Sequence, residues 1–86
     1  MPSKEKYITQ KYKVLLFAER NEYIRSPDVA SHLGIYLGYA TNILRRLWAE
    51  DLLKRTPFNP NGNRGFKYEI TNFGKKRCKW LHSLGH

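Results

Sequence analysis

Two groups of residues have the types and spacing to recognise a polyanion. The first is Tyr39, Thr41, Asn42 and Arg45, which alternate with Ala40, Ile43, Leu44 and Leu47. At 3.6 residues per turn the apolar four form one stripe of a helix, and the polar four lie on the opposite side. Arginine can pair with guanine O6 and N7, and asparagine with adenine N6 and N7, when a rigid element carries them into the major groove of a duplex. Asn42 and Arg45 are therefore the expected base readers. Tyr39 and Thr41 are expected on phosphates or thymine methyl groups, Arg46 on phosphate, and Tyr36 exposed beside them. Gly38, one turn earlier, would let the backbone approach closely. The second group is Lys54, Arg55, Arg64 and Lys67, around the tip residues Asn61, Gly62, Asn63 and Gly65. These suit backbone contacts, with Arg64 entering a narrow minor groove. The plainer alternatives are a solvated helix face and a solvated turn.

The charge agrees with such a partner. The 86 residues carry 16 Lys and Arg against seven Asp and Glu, a net charge of +9. Residues 1–35 hold six basic and four acidic side chains, net +2, and residues 36–86 hold ten and three, net +7. Charge gathered in one half of a small basic chain points to a polyanion. The length implies a single domain over 1–86 and leaves little room for an enclosed catalytic pocket or a ligand domain. No catalytic residue, cofactor or small-molecule effector is expected. His32 has no evident nucleophile or carboxylate partner, and no phosphate-cradling glycine loop occurs. Cys78, His82 and His86 share a helical face, but a fourth ligand is missing and no metal is expected. The longest apolar run, residues 14–18, is too short to cross a membrane. A single cysteine fits a reducing compartment, so a cytoplasmic, nucleoid-associated protein is expected.

The elements that must position these groups read as follows. Ile8, Tyr12, Leu15 and Leu16 predict a helix over 7–19. Residues 23–25 are extended. Ser26-Pro27-Asp28 starts a second helix, with Ser26 as cap, and Gly34 ends it. The third helix spans about 37–50. A strand over 52–58, turn residues 59–63 and an alternating strand over 66–71 make a hairpin. Thr71-Asn72 caps a last helix, whose Phe73, Trp80, Leu81 and Leu84 define one apolar face and whose Lys75, Lys76 and Lys79 lie on another. Phe17, Phe66, Tyr68, Phe73 and Trp80 are assigned to the core, leaving Tyr36 and Tyr39 as the exposed aromatics near the basic surface.

Three stretches in this order resemble the winged helix-turn-helix family of transcription regulators, in particular MarR-like and small archaeal-type members. Val29-Ala30-Ser31-His32-Leu33-Gly34-Ile35 is similar to the family's second helix and turn. Ile43-Leu44-Arg45-Arg46-Leu47 with Asp51-Leu52-Leu53-Lys54-Arg55 looks like a recognition helix entering the first wing strand. Phe66 to Lys75 is similar to the second wing strand and its "Leu-Thr-x-x-Gly-Lys" entry into the last helix. Tyr36 stands where the family often has a Ser or Thr cap, which moves the expected helix start toward Gly38.

The resemblance implies an α+β, mostly helical fold: a three-helix core, a two-stranded wing hairpin and a C-terminal helix. It further implies a sequence-specific double-stranded DNA-binding regulator, a repressor type, with helix 37–50 in the major groove and wing 54–67 on the backbone and minor groove. A homodimer is expected through the first and last helices, with Tyr7, Tyr12, Trp80, Leu81 and Leu84 on its surface. The alternative is a winged-helix module that binds protein or RNA, or coats DNA without sequence preference.

Overall fold

The computed structural model describes residues 9–59 and 65–84. They form α1 (Gln10–Glu19), α2 (Ser26–Leu33), α3 (Leu37–Ala49), β1 (Leu53–Pro57), β2 (Phe66–Ile70) and α4 (Asn72–Ser83), in that order. Among these residues no helix is long and apolar enough to cross a membrane.

Local chemistry sets the ends of these helices. The first helix starts later than its apolar period suggested, at Gln10 after an extended Thr9; Tyr7 and Ile8 lie outside the described residues. At α2 the cap is Arg25 rather than Ser26. The Asp28 carboxylate accepts the Arg25 N–H at 3.0 Å, so the side chain at the third helical position reaches back over the helix start. Ser26 becomes the first helical residue, followed by Pro27. Gly34 closes α2 in the left-handed region (φ 66°), and the Ile35 N–H bonds the Ala30 carbonyl at 3.0 Å. Only glycine takes that conformation freely. Asp51 ends α3 in the same region (φ 62°), where a short polar side chain is tolerated.

The hairpin is antiparallel, pairing Leu53 with Ile70 and Pro57 with Phe66. A bridge from Ile24 to Tyr68 covers the other edge of β2. Each strand is one residue shorter at its helix end than its pattern predicted. The Leu52 N–H closes α3 on the Leu47 carbonyl at 2.9 Å, and the Leu52 carbonyl accepts the Thr71 N–H at 3.2 Å. With its N–H turned to α3, Leu52 cannot return the Thr71 bond, so the paired ladder ends at Leu53 and Ile70. Thr71 instead caps α4, accepting the Gly74 N–H at 2.9 Å while donating to the Asp51 carbonyl at 2.6 Å. Gly74 is required by close approach, because a Cβ there would run into the Leu52 carbonyl oxygen and the Ile70 side chain.

The core draws on every element. Val14, Leu15 and Ala18 meet Val29, then Ala40, Ile43, Leu44 and Leu47, with Ile24, Leu52, Leu53, Tyr68, Cys78 and Leu81 closing the far side. Burying each Leu or Ile side chain stabilises the fold by about 1.5–3 kcal/mol. Among the described residues no charged, amide or aliphatic-hydroxyl side chain is buried. All four residues of the α3 stripe are buried, as their spacing predicts. The α4 stripe differs from expectation. The face turned inward is Gly74, Cys78 and Leu81, while Phe73 is 50% and Trp80 48% exposed. Leu81 belongs to the protomer's own core, so it is not available as part of a dimer surface. Phe66, 39% exposed, also falls short of the core role assigned to it.

Candidate nucleic-acid interface

With Ala40, Ile43, Leu44 and Leu47 turned inward, helical geometry sends Gly38, Asn42, Arg45 and Ala49 to the opposite side. All four are exposed. Asn42 and Arg45 thus sit mid-strip between two residues too small to hold a partner away. Neither side chain has a hydrogen-bond or ion-pair partner among the described residues, so their donors and acceptors are open to solvent. No heavy atom lies within 4 Å of where a Gly38 Cβ would stand. The fold itself therefore does not require glycine there. Tyr36 (90% exposed) and Tyr39 (48%) flank the start of the strip. Tyr39, Asn42, Arg45 and Arg46 also line a concavity that continues onto Thr9 and onto Gln10 and Lys11 of α1.

Thr41 departs from the outward position expected of it. It is half-buried on the flank facing α2. Its hydroxyl is 3.0 Å from both Ser26 Oγ and the Leu37 carbonyl. It ties the start of α2 to the first turn of α3, which holds the angle between the two helices. At the other end Lys11 Nζ pairs with Glu50 at 2.9 Å, anchoring α3 to α1. An ion pair this exposed contributes at most about 1 kcal/mol.

The wing cations divide between the two faces of the hairpin. Successive strand residues point to opposite sides. Lys54 therefore shares a face with Lys67 and Glu69, and Arg55 shares the other with Tyr68. Lys67 Nζ lies 5.3 Å from the centroid of the Tyr23 ring. The Arg55 guanidinium lies 3.7 Å from the Trp48 ring centroid and 4.3 Å from that of Phe66. Asn61, Asn63 and Arg64 lie outside the described residues. The sequence reading missed the part played by Trp48 and Phe66. No periodicity links a helix end to two strands; only the pairing register and the turn at Asp51 bring them around Arg55.

A second aromatic cluster lies on α1 and α4. Tyr12 and Trp80 meet edge to face at 6.5 Å, and Arg77 Nη1 donates to the Tyr12 hydroxyl at 2.9 Å. Phe73 and Trp80 each lie 5.8 Å from the Arg77 guanidinium. Cys78 and His82 do not converge. The Cys78 thiol is buried against the Leu15 carbonyl, and its pKa is pushed up to about 11 by loss of solvent and then by Glu19. His82 instead reaches Glu19 at 2.9 Å. His86 lies outside the described residues. His32 stacks on Phe17, with ring centroids 4.1 Å apart.

The fold has close counterparts among solved structures. A cysteine-to-serine mutant of MarR from E. coli superposes with a TM-score of 0.81 and 28% identity, over 94% of this chain and 63% of that one. The same kind of mutant in complex with operator DNA gives 0.74 and 31%, over 86% and 52%. A transcriptional regulator from Thermotoga maritima gives 0.76 at 24% identity, over 92% and 56%, a likeness of fold. The chain thus spans less than two thirds of the length of these structures. No protein-family model and no curated protein matches the sequence. The order α1, α2, α3, hairpin, α4 gives this chain a winged helix-turn-helix fold similar to that of MarR.

Proposed function

We propose that the chain is a sequence-specific DNA-binding transcription regulator that lays α3 in the major groove, with the hairpin beside it on the backbone. The observation that carries this reading is the outward strip of α3. Asn42 and Arg45 stand exposed and unpartnered on a helix whose opposite face is wholly buried, so the scaffold fixes where they point. The +7 charge of residues 36–86 supplies attraction to phosphates. A similar MarR structure is a complex with operator DNA, which supports DNA as the partner. Repression is the expected mode, since MarR is itself described as a repressor. Asn42 and Arg45 read base edges; Tyr36, Tyr39, Arg46 and Lys54 lie toward phosphates, and Gly38 permits close approach. Arg64, with Asn61 and Asn63, is assigned to the minor groove from the sequence pattern.

The half-exposed Tyr12, Phe73, Arg77 and Trp80 cluster is the proposed homodimer surface; it keeps Tyr12 and Trp80 of the expected set, adds Phe73 and Arg77, and omits Leu81 and Leu84, which pack on the core, while Tyr7 lies outside the described residues. Two protomers would then meet half-sites about 34–36 Å apart on one face of the duplex. Selection of bound duplexes from a random pool, read at two salt concentrations, tests the function. A pseudo-palindromic consensus is expected. Arg45→Ala should weaken binding to that consensus by about 1–3 kcal/mol and relax one base position. Equal losses on consensus and random duplexes would remove Arg45 as a base reader, and binding with no consensus would leave a non-specific coating protein.

A further inference from the structure

We infer that Arg55 is a phosphate fork preset by an aromatic clamp, with Trp48 and Phe66 as its positioning residues. The inference rests on the DNA-binding reading above and assigns a part to two residues that the reading does not use. Three elements meet at this point: Trp48 near the end of α3, Arg55 in β1 and Phe66 at the start of β2. The guanidinium lies within 3.7 Å of one ring centroid and 4.3 Å of the other. A planar guanidinium stacked on aromatic rings keeps its N–H donors at its edge. No carboxylate or carbonyl among the described residues accepts from that edge. Arg77, by contrast, is also surrounded by rings but spends a donor on the Tyr12 hydroxyl. Trp48 and Phe66 are themselves 40% and 39% exposed, so the stack sits at the surface.

An uncommitted guanidinium edge offers parallel donors that match two phosphate oxygens. A free arginine must lose rotamer entropy to hold that geometry. Here the rings restrain the side chain beforehand, which lowers the cost of ordering it on binding. The stack also joins the end of the recognition helix to the root of the wing. A phosphate held there would set the angle at which both elements approach the duplex. Trp48 and Phe66 would touch no DNA and act only through Arg55.

The test is a salt series with a double-mutant cycle, on a duplex recovered from the random pool and on a scrambled duplex of the same length. Arg55→Ala is expected to weaken both about tenfold and to flatten the slope of log K against log salt by about 0.9. Arg55→Lys should keep the slope and still lose affinity, because an ammonium cannot reproduce the fork. Trp48→Leu should weaken binding severalfold beside Arg55 and have no further effect in the Arg55→Ala background. Phe66→Leu provides the same cycle if Trp48→Leu does not fold. The clamp is overturned if the ring substitutions weaken binding equally with and without Arg55, or if Arg55→Ala leaves the salt slope unchanged. Either result, with the wild type still binding, leaves the DNA-binding reading standing; a wild type that binds no duplex overturns both.

Discussion

The third and fourth helices each carry an apolar stripe in sequence, yet they use them differently. In α3 every stripe residue is buried, because α1 and α2 pack on it and the hairpin root closes its end. In α4 the inward face is narrow, set by Gly74, Cys78 and Leu81, and the large rings of Phe73 and Trp80 stand beside it half in solvent. A stripe surrounded on several sides locks the polar side chains opposite it. A stripe with fewer neighbours leaves apolar area over, which a second protomer can cover. The contrast separates a helix that presents a polar surface from one that presents an apolar surface.

The sharpest way to break that contrast is to truncate one residue of each stripe. Leu44 is fully buried, so Leu44→Ala should cost about 2–5 kcal/mol in urea unfolding. Trp80→Ala removes a larger side chain from a half-exposed site and should cost the isolated protomer no more than about 1 kcal/mol. Its main effect should appear in sedimentation, as a shift from dimer to monomer. Similar unfolding costs for the two substitutions would show that α4 is as enclosed as α3.

The next largest effect concerns how α4 is seated. Gly74 meets the Leu52 backbone so closely that a methyl group has no room. Gly74→Ala should therefore destabilise by about 1–3 kcal/mol, even though alanine is the better helix former. A neutral or stabilising result in thermal melts would mean that α4 slides on the hairpin root without cost.

Much of this was legible in the residues. The α3 stripe, the glycine ending α2, the Thr71 cap and the alternation in β2 are local patterns, and each is governed by contacts within a few positions. The outward placement of Asn42 and Arg45 follows from the same period. What could not be read depends on the tertiary partner. The face of α4 that turns inward is chosen by where Leu52 and Ile70 lie, not by hydrophobicity, so Phe73 and Trp80 looked like core and are not. Thr41 looked outward, but the start of α2 offers Ser26 to its hydroxyl. The cap of α2 shifted by one residue because the Asp28 side chain reaches back to the Arg25 amide. The Arg55 stack combines residues from three elements and leaves no signature in any one of them.

The smallest predicted effect is also the one in which stability and binding should move in opposite directions. Gly38 lies in the first turn of α3, without a positive φ and with empty space where a Cβ would be. Nothing within the fold calls for glycine, and glycine in a helix costs roughly 0.5–1 kcal/mol relative to alanine. Gly38→Ala should therefore raise unfolding stability by up to about that amount, chiefly by restricting the unfolded chain. If the bare backbone at Gly38 lets the helix start approach the duplex, the same methyl group should weaken DNA binding while the protein becomes harder to melt. Paired thermal melts and binding isotherms separate the two effects. A gain in stability with unchanged affinity would mean that α3 meets the groove through Asn42 and Arg45 alone, with its first turn held away from the bases.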